Sequence, residues 1–239
     1  MLTFQACQKS FGKNKVLQDV TLDIPANSLF GFAGINGAGK TTLIKCLLDL
    51  LHLDSGSIIF DNHPFRFAQV YRDIGYLPEV FQPPHDLTGQ EFLHYCYQLI
   101  KKDSNRSHTV KAALETVGLA SSARQRIRKL SKGMRQRLGI AQAIIHQPRL
   151  LILDEPFSGL DPIGRYDLKQ LFRQLRQSGT TIFFSSHNLI DLQDLCSHVA
   201  VLHDGRIAAS DTVDKVLTRY QTNDLEQAFL QAIGYQEAS

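Results

Sequence analysis

No other stretch limits the folds open to this chain as much as Gly34-Ile35-Asn36-Gly37-Ala38-Gly39-Lys40-Thr41-Thr42. It satisfies the phosphate-loop pattern and stands where that pattern requires, between a strand and a helix. The apolar run Ser28 to Ala33 precedes it, and from Thr41 onward Leu43, Ile44, Leu47, Leu48 and Leu51 recur at helical spacing. Gly34, Gly37 and Gly39 let the backbone curl closely and turn consecutive N–H groups toward an anion. The helix start adds unpaired N–H donors and the positive end of its dipole. Lys40 is suited to the β- and γ-phosphates of a nucleoside triphosphate, and the Thr41 hydroxyl to Mg²⁺. A glycine-rich turn that merely caps a helix would need neither the lysine nor the hydroxyl.

A second feature has the complementary chemistry. The apolar strand Leu150 to Leu153 ends in Asp154-Glu155-Pro156, and in open α/β sheets ligands sit at the carboxyl ends of strands. Asp154 is suited to hold Mg²⁺, directly or through water. Glu155 is suited to polarise an attacking water or accept its proton. Alone, such a pair is often a solvated turn; a complete phosphate loop in the same chain favours the catalytic reading.

The chain has 239 residues, 43% of them apolar, enough for one α/β body with one or two small lobes. Its net charge of +3 gives no argument for nucleic acid or an anionic membrane as partner. Cys7, Cys46, Cys96 and Cys196 form no CxxC pair and read as buried, reduced thiols. The first residues lack the pattern of a signal peptide, and no apolar run reaches membrane-spanning length. Work at a membrane is therefore expected to go through a partner.

Alternation predicts antiparallel strands over Leu2 to Cys7 and Val16 to Ile24, around the turn residues Gly12, Lys13 and Asn14. Ser57 to Phe60 reads as a strand before an Asp61-Asn62 turn, and Ile74 to Leu77 as a buried strand ended by Pro78. From Thr88 to about Leu119 the pattern is helical, opened by a capping box of Thr88 and Glu91. Its expected apolar face is Phe92, Tyr95, Cys96, Leu99 and Ile100. Further on, Ile163 to Gln177 and Asn188 to Ser197 read as helices and Thr180 to Ser185 as a strand. Val199 to Leu202 and Arg206 to Ala209 form a hairpin about Asp204-Gly205, and Asp224 to Ile233 is helical.

Leu130-Ser131-Lys132-Gly133-Met134-Arg135-Gln136-Arg137-Leu138 opens another helix, with Ser131 as N-cap. At this segment the chain resembles, over essentially its whole length, the ATP-binding subunits of ABC transporters. Their signature Leu-Ser-Gly-Gly-Gln is matched here at Leu130, Ser131 and Gly133, with Lys132 and Met134 as departures. Such Lys-Gly-Met variants resemble the exporter (ABC-2) branch, where ATPase and membrane subunits are separate chains.

The resemblance implies roles for further residues. Phe11 matches the aromatic that stacks on adenine, and Asp161 of Gly159-Leu160-Asp161 belongs to the loop that crosses the dimer interface. His187 matches the histidine that contacts the γ-phosphate; Ser131 and Gly133 approach the γ-phosphate held by the opposite subunit. Glu79 stands where the family usually has a glutamine that senses Mg²⁺ and the membrane partner, and a carboxylate there remains a possible Mg²⁺ ligand. The nucleotide-binding set implied is thus Phe11, Gly34, Asn36, Gly37, Ala38, Gly39, Lys40, Thr41, Thr42, Ser131, Gly133 and Asp161. Thr41, Glu79 and Asp154 are the metal ligands, and Lys40, Glu155 and His187 the catalytic residues.

The fold implied is an α/β P-loop NTPase of the ABC ATPase type, a single domain over 1–239. Within its mixed core sheet, an antiparallel β lobe takes about 1–30 and 57–62, an inserted helical lobe about 85–145, and a C-terminal hairpin and helix about 199–239. The function implied is hydrolysis of ATP with Mg²⁺ by a subunit that pairs with a second ATPase subunit, either a copy of itself or a different chain, and powers transport in the export direction. It would act at the cytoplasmic face of the membrane through a separate permease chain, with no nucleic acid involved. The alternative is a non-transport ABC-family ATPase acting on nucleic acid or the ribosome, for which the seven basic residues of Arg124 to Arg137 are the only cue. A silent regulatory subunit would not be expected to keep Lys40, Asp154, Glu155 and His187 together.

Overall fold

The computed structural model describes residues 1–66, 70–100 and 106–235. Its strands are β1 (Leu2–Phe11), β2 (Asn14–Ile24), β3 (Leu29–Ala33), β4 (Ser55–Phe60), β5 (His63–Pro64), β6 (Ile74–Leu77), β7 (Leu150–Asp154), β8 (Thr181–Ser186), β9 (His198–His203) and β10 (Arg206–Thr212). Its described helices are α1 (Lys40–Leu47), α2 (Gly89–Ile100), α3 (Arg106–Thr116), α4 (Lys132–Ile144), α5 (Pro162–Gln177), α6 (Leu189–Leu195), α7 (Val213–Arg219) and α8 (Leu225–Ala232). The chain forms two compact units, Met1–Val70 with Thr181–Ser239, and Tyr71–Thr180.

The first unit holds two sheets. In one, the antiparallel order is β2-β1-β4-β5. Leu2, Phe4 and Cys7 of β1 point inward while Gln5 and Ala6 are exposed, the half-buried pattern that the alternation predicted. The β1–β2 turn passes through Gly12 at φ +61. In the other sheet, β3 pairs in parallel with β8 and β9, and β9 pairs antiparallel with β10. Every residue of β3 and β8 is buried, which is why β3 reads as an unbroken apolar run rather than an alternating one. Phe183 of β8 is the hub of this core, with ring centroids 5.5 Å from Phe32, 6.0 Å from Phe30 and 6.5 Å from Phe4. Tilted aromatic pairs of this kind add about 0.5–1.5 kcal/mol each beyond their buried area. Helix α6 lies so close to β3 that a Cβ on Gly31 would come 2.6 Å from Leu192 Cδ2.

In the second unit β6 and β7 pair in parallel. Helix α4 packs on β6 through a reciprocal pair of glycines. A Cβ on Gly75 of β6 would overlap the Ala143 carbonyl oxygen of α4, and one on Gly139 of α4 would fall 2.5 Å from Leu77 of β6. The capping box forms as expected: Glu91 Oε2 accepts from the Thr88 N–H and hydroxyl, both at 2.8 Å, and Thr88 Oγ1 accepts from the Glu91 N–H at 3.2 Å.

The expected helical stretch 88–119 contains two described helices, α2 and α3; its residues 101–105 lie outside the described residues, as do 236–239 of the expected C-terminal region. The buried face of α2 is Phe92, Leu93 and Tyr97, while Tyr95 and Leu99 are 56% and 69% exposed. Sequence periodicity located the stripe but placed its centre one residue too far round; Phe92, which both faces share, lies 5.9 Å from Phe81. Cys7, Cys46 and Cys196 are buried and Cys96 is half-buried; all four are free thiols. Burial pushes the thiols of Cys46 and Cys96 up to about 11. The strand after Asp204-Gly205 runs on to Thr212, which caps the unforeseen helix α7.

Replacing Gly75 with alanine forces a methyl group into backbone that cannot swing aside, so unfolding free energy is expected to fall by about 1–3 kcal/mol or more. Gly12→Ala, which meets nothing within 4 Å, costs only its left-handed backbone, about 1–2 kcal/mol. Urea denaturation of both variants checks the order.

Candidate active site

In the first unit, strand register decides what meets at the carboxyl edge of the sheet. Ala33 of β3 lies opposite Ser186 of β8, so Gly34 and His187, each one residue further, leave the sheet side by side. The phosphate loop turns through Gly37 at φ +83 and Gly39 at φ +110, conformations that cost side-chain-bearing residues dearly. A Cβ on Gly34 would come 2.7 Å from the Leu202 carbonyl, and one on Gly39 2.9 Å from that of Val16. These contacts hold the curl from behind, while Ile35, Asn36 and Gly37 face outward. Ala38 N donates to the Ile35 carbonyl at 3.2 Å.

Lys40 is only 7% exposed, and its ammonium donates to the carbonyls of Gly34 at 2.6 Å and Ile35 at 3.3 Å. The cation is thus folded into the loop's own concavity. Helix α1 begins here with Gly39 as N-cap and no side chain capping its first turn, and Thr41 and Thr42 are half-buried at that end. A polyanionic group fits this cradle: N–H donors, a helix N-terminus and one buried ammonium converge on it.

His187 is exposed. The residue after it, Asn188, caps α6 by accepting from Asp191 N at 3.2 Å, and its own N–H donates to Ser186 Oγ at 3.0 Å. Phe11 ends β1 with its ring 49% exposed and Lys9 Nζ 5.6 Å from the ring centroid. The contact of Val16 and Leu17 with the Gly39 region holds this hairpin against the phosphate loop.

The second unit repeats the geometric rule. Leu77 of β6 lies opposite Leu153 of β7, so Glu79 and Glu155 both stand two residues past the paired position. Asp154 and Glu155 are 1% and 9% exposed, and Glu155 adopts φ +49. A non-glycine residue in the left-handed region costs about 1–3 kcal/mol and clusters at functional sites. Partial burial, then the charges of Asp154 and Glu79, push the Tyr76 phenol up to about 12, so both carboxylates bear on one half-buried ring. After Glu155 the chain makes a turn in which Ser158 N donates to the Glu155 carbonyl at 3.1 Å, and Phe157 packs on Phe172 at 5.5 Å.

Ser131 caps α4, its hydroxyl accepting from Met134 N at 3.2 Å. Because the backbone of Met134 makes this bond, the side chain at that position leaves the cap unaffected. Asp161 caps α5 by accepting from Gly164 N at 2.8 Å, with Pro162 in the first turn. Ser131, Gly133, Leu160 and Asp161 line one shallow pocket of about 250 Å³. The ammonium of Lys132 lies beside Gly159, whose φ of +67 disfavours a side chain.

Thus Phe11, the whole phosphate loop and His187 belong to one unit; Glu79, Asp154 and Glu155 share a strand edge of the other, where Ser131, Gly133 and Asp161 form a separate cluster. Sequence reasoning passed over Tyr76, which reads as an ordinary strand residue, and Gln136, whose amide donates to the Pro156 carbonyl at 2.9 Å. Gln136 lies inside the signature segment, but nothing in its spacing points to position 156.

Residues 17–158 match the family described as ABC transporter. An uncharacterized ABC transporter ATP-binding protein of Synechocystis is 38% identical over 210 residues, 86% of this chain and 59% of that protein, so the chain spans less than two thirds of that relative's length. The lantibiotic transport ATP-binding protein of Streptococcus pyogenes is 35% identical over 216 residues, 90% of this chain and 92% of that one. Among solved structures, an ATP-binding subunit of an ABC transporter superposes with a TM-score of 0.86 at 26% identity, covering 97% of this chain and 99% of that one. With the strand-edge geometry and the family match in agreement, the chain belongs to the ABC transporter family, among its ATP-binding subunits.

Proposed function

We propose that the chain binds ATP with Mg²⁺, closes on a second ATPase subunit and hydrolyses the nucleotide to drive transport through a separate membrane-spanning subunit. The observation that carries this reading is the buried Lys40 ammonium inside a glycine curl at the start of α1. Adenine stacks on the exposed Phe11 ring. The N–H groups of Gly34 to Thr42 and the Lys40 ammonium hold the phosphates, which draws that ammonium away from its two carbonyl partners. Mg²⁺, when bound with the nucleotide, would supply charge neutralisation, and the Thr41 hydroxyl, Asp154 and Glu79 are the oxygen donors that would hold it, directly or through water. Among the described residues no group of three or more His, Cys, Asp or Glu is placed to hold a metal alone.

Glu155, fixed in its left-handed conformation, accepts the proton of the attacking water, and His187 contacts the γ-phosphate. Ser131 and Gly133 face the nucleotide of the opposite subunit, with Asp161 at the crossing loop. Because one chain carries both halves, two copies suffice for two complete sites. Transport is supported by the relative named a lantibiotic transport ATP-binding protein, and we read its direction as export; no described helix is long and apolar enough to cross a membrane. On this reading the chain sits at the cytoplasmic face of the membrane through its partner. Several of the basic residues near the signature are engaged locally, Arg137 with Asp167, and Arg126 and Arg128 beside Asp86 at 4.0 and 3.7 Å. That supports transport over action on nucleic acid.

Three substitutions test the assignments. Lys40→Ala removes charge-assisted bonds to the phosphates and is expected to weaken ATP binding about 10- to 100-fold; fluorescent-nucleotide titration with unchanged affinity would refute the phosphate-loop role. Glu79→Gln is expected to shift the Mg²⁺ dependence of ATPase activity while leaving thermal unfolding in place, and superimposable Mg²⁺ titrations would remove Glu79 from the metal site. Glu155→Gln is expected to lower kcat about 10²- to 10⁴-fold with ATP affinity retained. Rapid turnover by that variant contradicts the catalytic mechanism.

A further inference from the structure

Gln136 has no role in the mechanism above, yet its side chain reaches the backbone beside the general base. Its amide nitrogen donates to the Pro156 carbonyl at 2.9 Å across a part-buried contact. Pro156 has no N–H, so that carbonyl is its one strong backbone hydrogen-bonding group. It lies immediately after Glu155, whose φ of +49 is a conformation that non-glycine residues keep only when their surroundings enforce it. The same face of α4 lies close to the turn at two further points. The Lys132 ammonium lies on Gly159, and Gly133 approaches Leu160, whose Cδ2 is 3.6 Å from where a Gly133 Cβ would be. Residues 132, 133 and 136 share one helical face, so the first turns of the signature helix lie along the loop from Pro156 to Leu160, and the Gln136 amide is bonded to it.

We infer that Gln136 is a positioning residue for Glu155: by tying the Pro156 carbonyl to α4, it holds the carboxylate where it can act on the attacking water. The inference rests on the proposed role of Glu155 and assigns to the signature helix a task within its own chain, besides facing the opposite nucleotide. Gln136 touches neither nucleotide nor water in this scheme and acts through Glu155 alone.

The test is a double-mutant cycle in the full chain. Gln136→Leu removes the donor with little change in volume; Gln136→Glu keeps the length and also removes the donor, and it carries the test if the leucine variant does not fold. Both are made in the native and the Glu155→Gln backgrounds, and hydrolysis is followed in single-turnover assays with labelled ATP, alongside nucleotide affinity and thermal unfolding. In the native background the rate is expected to fall about 10- to 100-fold, the loss typical of a slightly misplaced catalytic group, with ATP affinity within twofold. In the Glu155→Gln background the same substitutions are expected to change the residual rate less than twofold, since the group they act through is gone. An equal fall in both backgrounds, or no fall in the native one, overturns the inference. Fast hydrolysis by Glu155→Gln alone is a different failure, that of the base assignment itself.

Discussion

Two parallel registers, Ala33 opposite Ser186 and Leu77 opposite Leu153, fix where the chemistry of this chain can occur. A parallel strand delivers its next residues to the carboxyl edge of the sheet, and a slip of one residue would turn each buried side chain to the other face. In β3, β7 and β8 every residue is buried, so slippage is heavily penalised. The exits at Gly34, His187, Glu79 and Asp154 are therefore as well defined as the core itself. The glycine contacts behind the phosphate loop and between β6 and α4 extend that constraint to the loops and to the signature helix.

The departures from the family signature have a physical reading in this setting. At the fifth signature position only the backbone N–H is used by the Ser131 cap, so Met134 costs nothing there. Lys132 places a positive charge in the first turn of a helix, where the macrodipole disfavours it by about 0.3–1 kcal/mol. Its ammonium instead lies over Gly159 of the turn that follows Glu155. Glu79 adds a carboxylate close enough to Tyr76 to bear, with Asp154, on its phenol.

How much was legible in the sequence follows from the range of each interaction. The phosphate loop, the acidic pair, the capping box and the β1–β2 and β9–β10 hairpins are local, and residue type at fixed spacing specifies them. Contacts across long separations were not legible. Gln136 and Pro156, or Gly75 and Ala143, meet only because a helix and a strand pack in one rotation. The outward Tyr95 and Leu99 have the same origin: periodicity defines a stripe, and the partner decides which part of it is covered. The left-handed backbone of Glu155 is likewise a tertiary effect, since nothing in Leu-Asp-Glu-Pro requires it. Helix α7 was missed because its capping Thr212 closes a strand that seemed to end at Ala209.

The account depends most on the nucleotide joining two copies of the chain, with the phosphate loop of one facing Ser131 and Gly133 of the other. Light scattering during size-exclusion chromatography of the Glu155→Gln chain, expected to hydrolyse ATP slowly, measures this directly. With ATP and Mg²⁺ the mass is expected to be twice the 26.9 kDa of the chain, and with ADP it is expected to return to that of one copy. A single-chain mass at saturating ATP would contradict the closed pair, and with it the assignment of Ser131 and Gly133 to the opposite nucleotide.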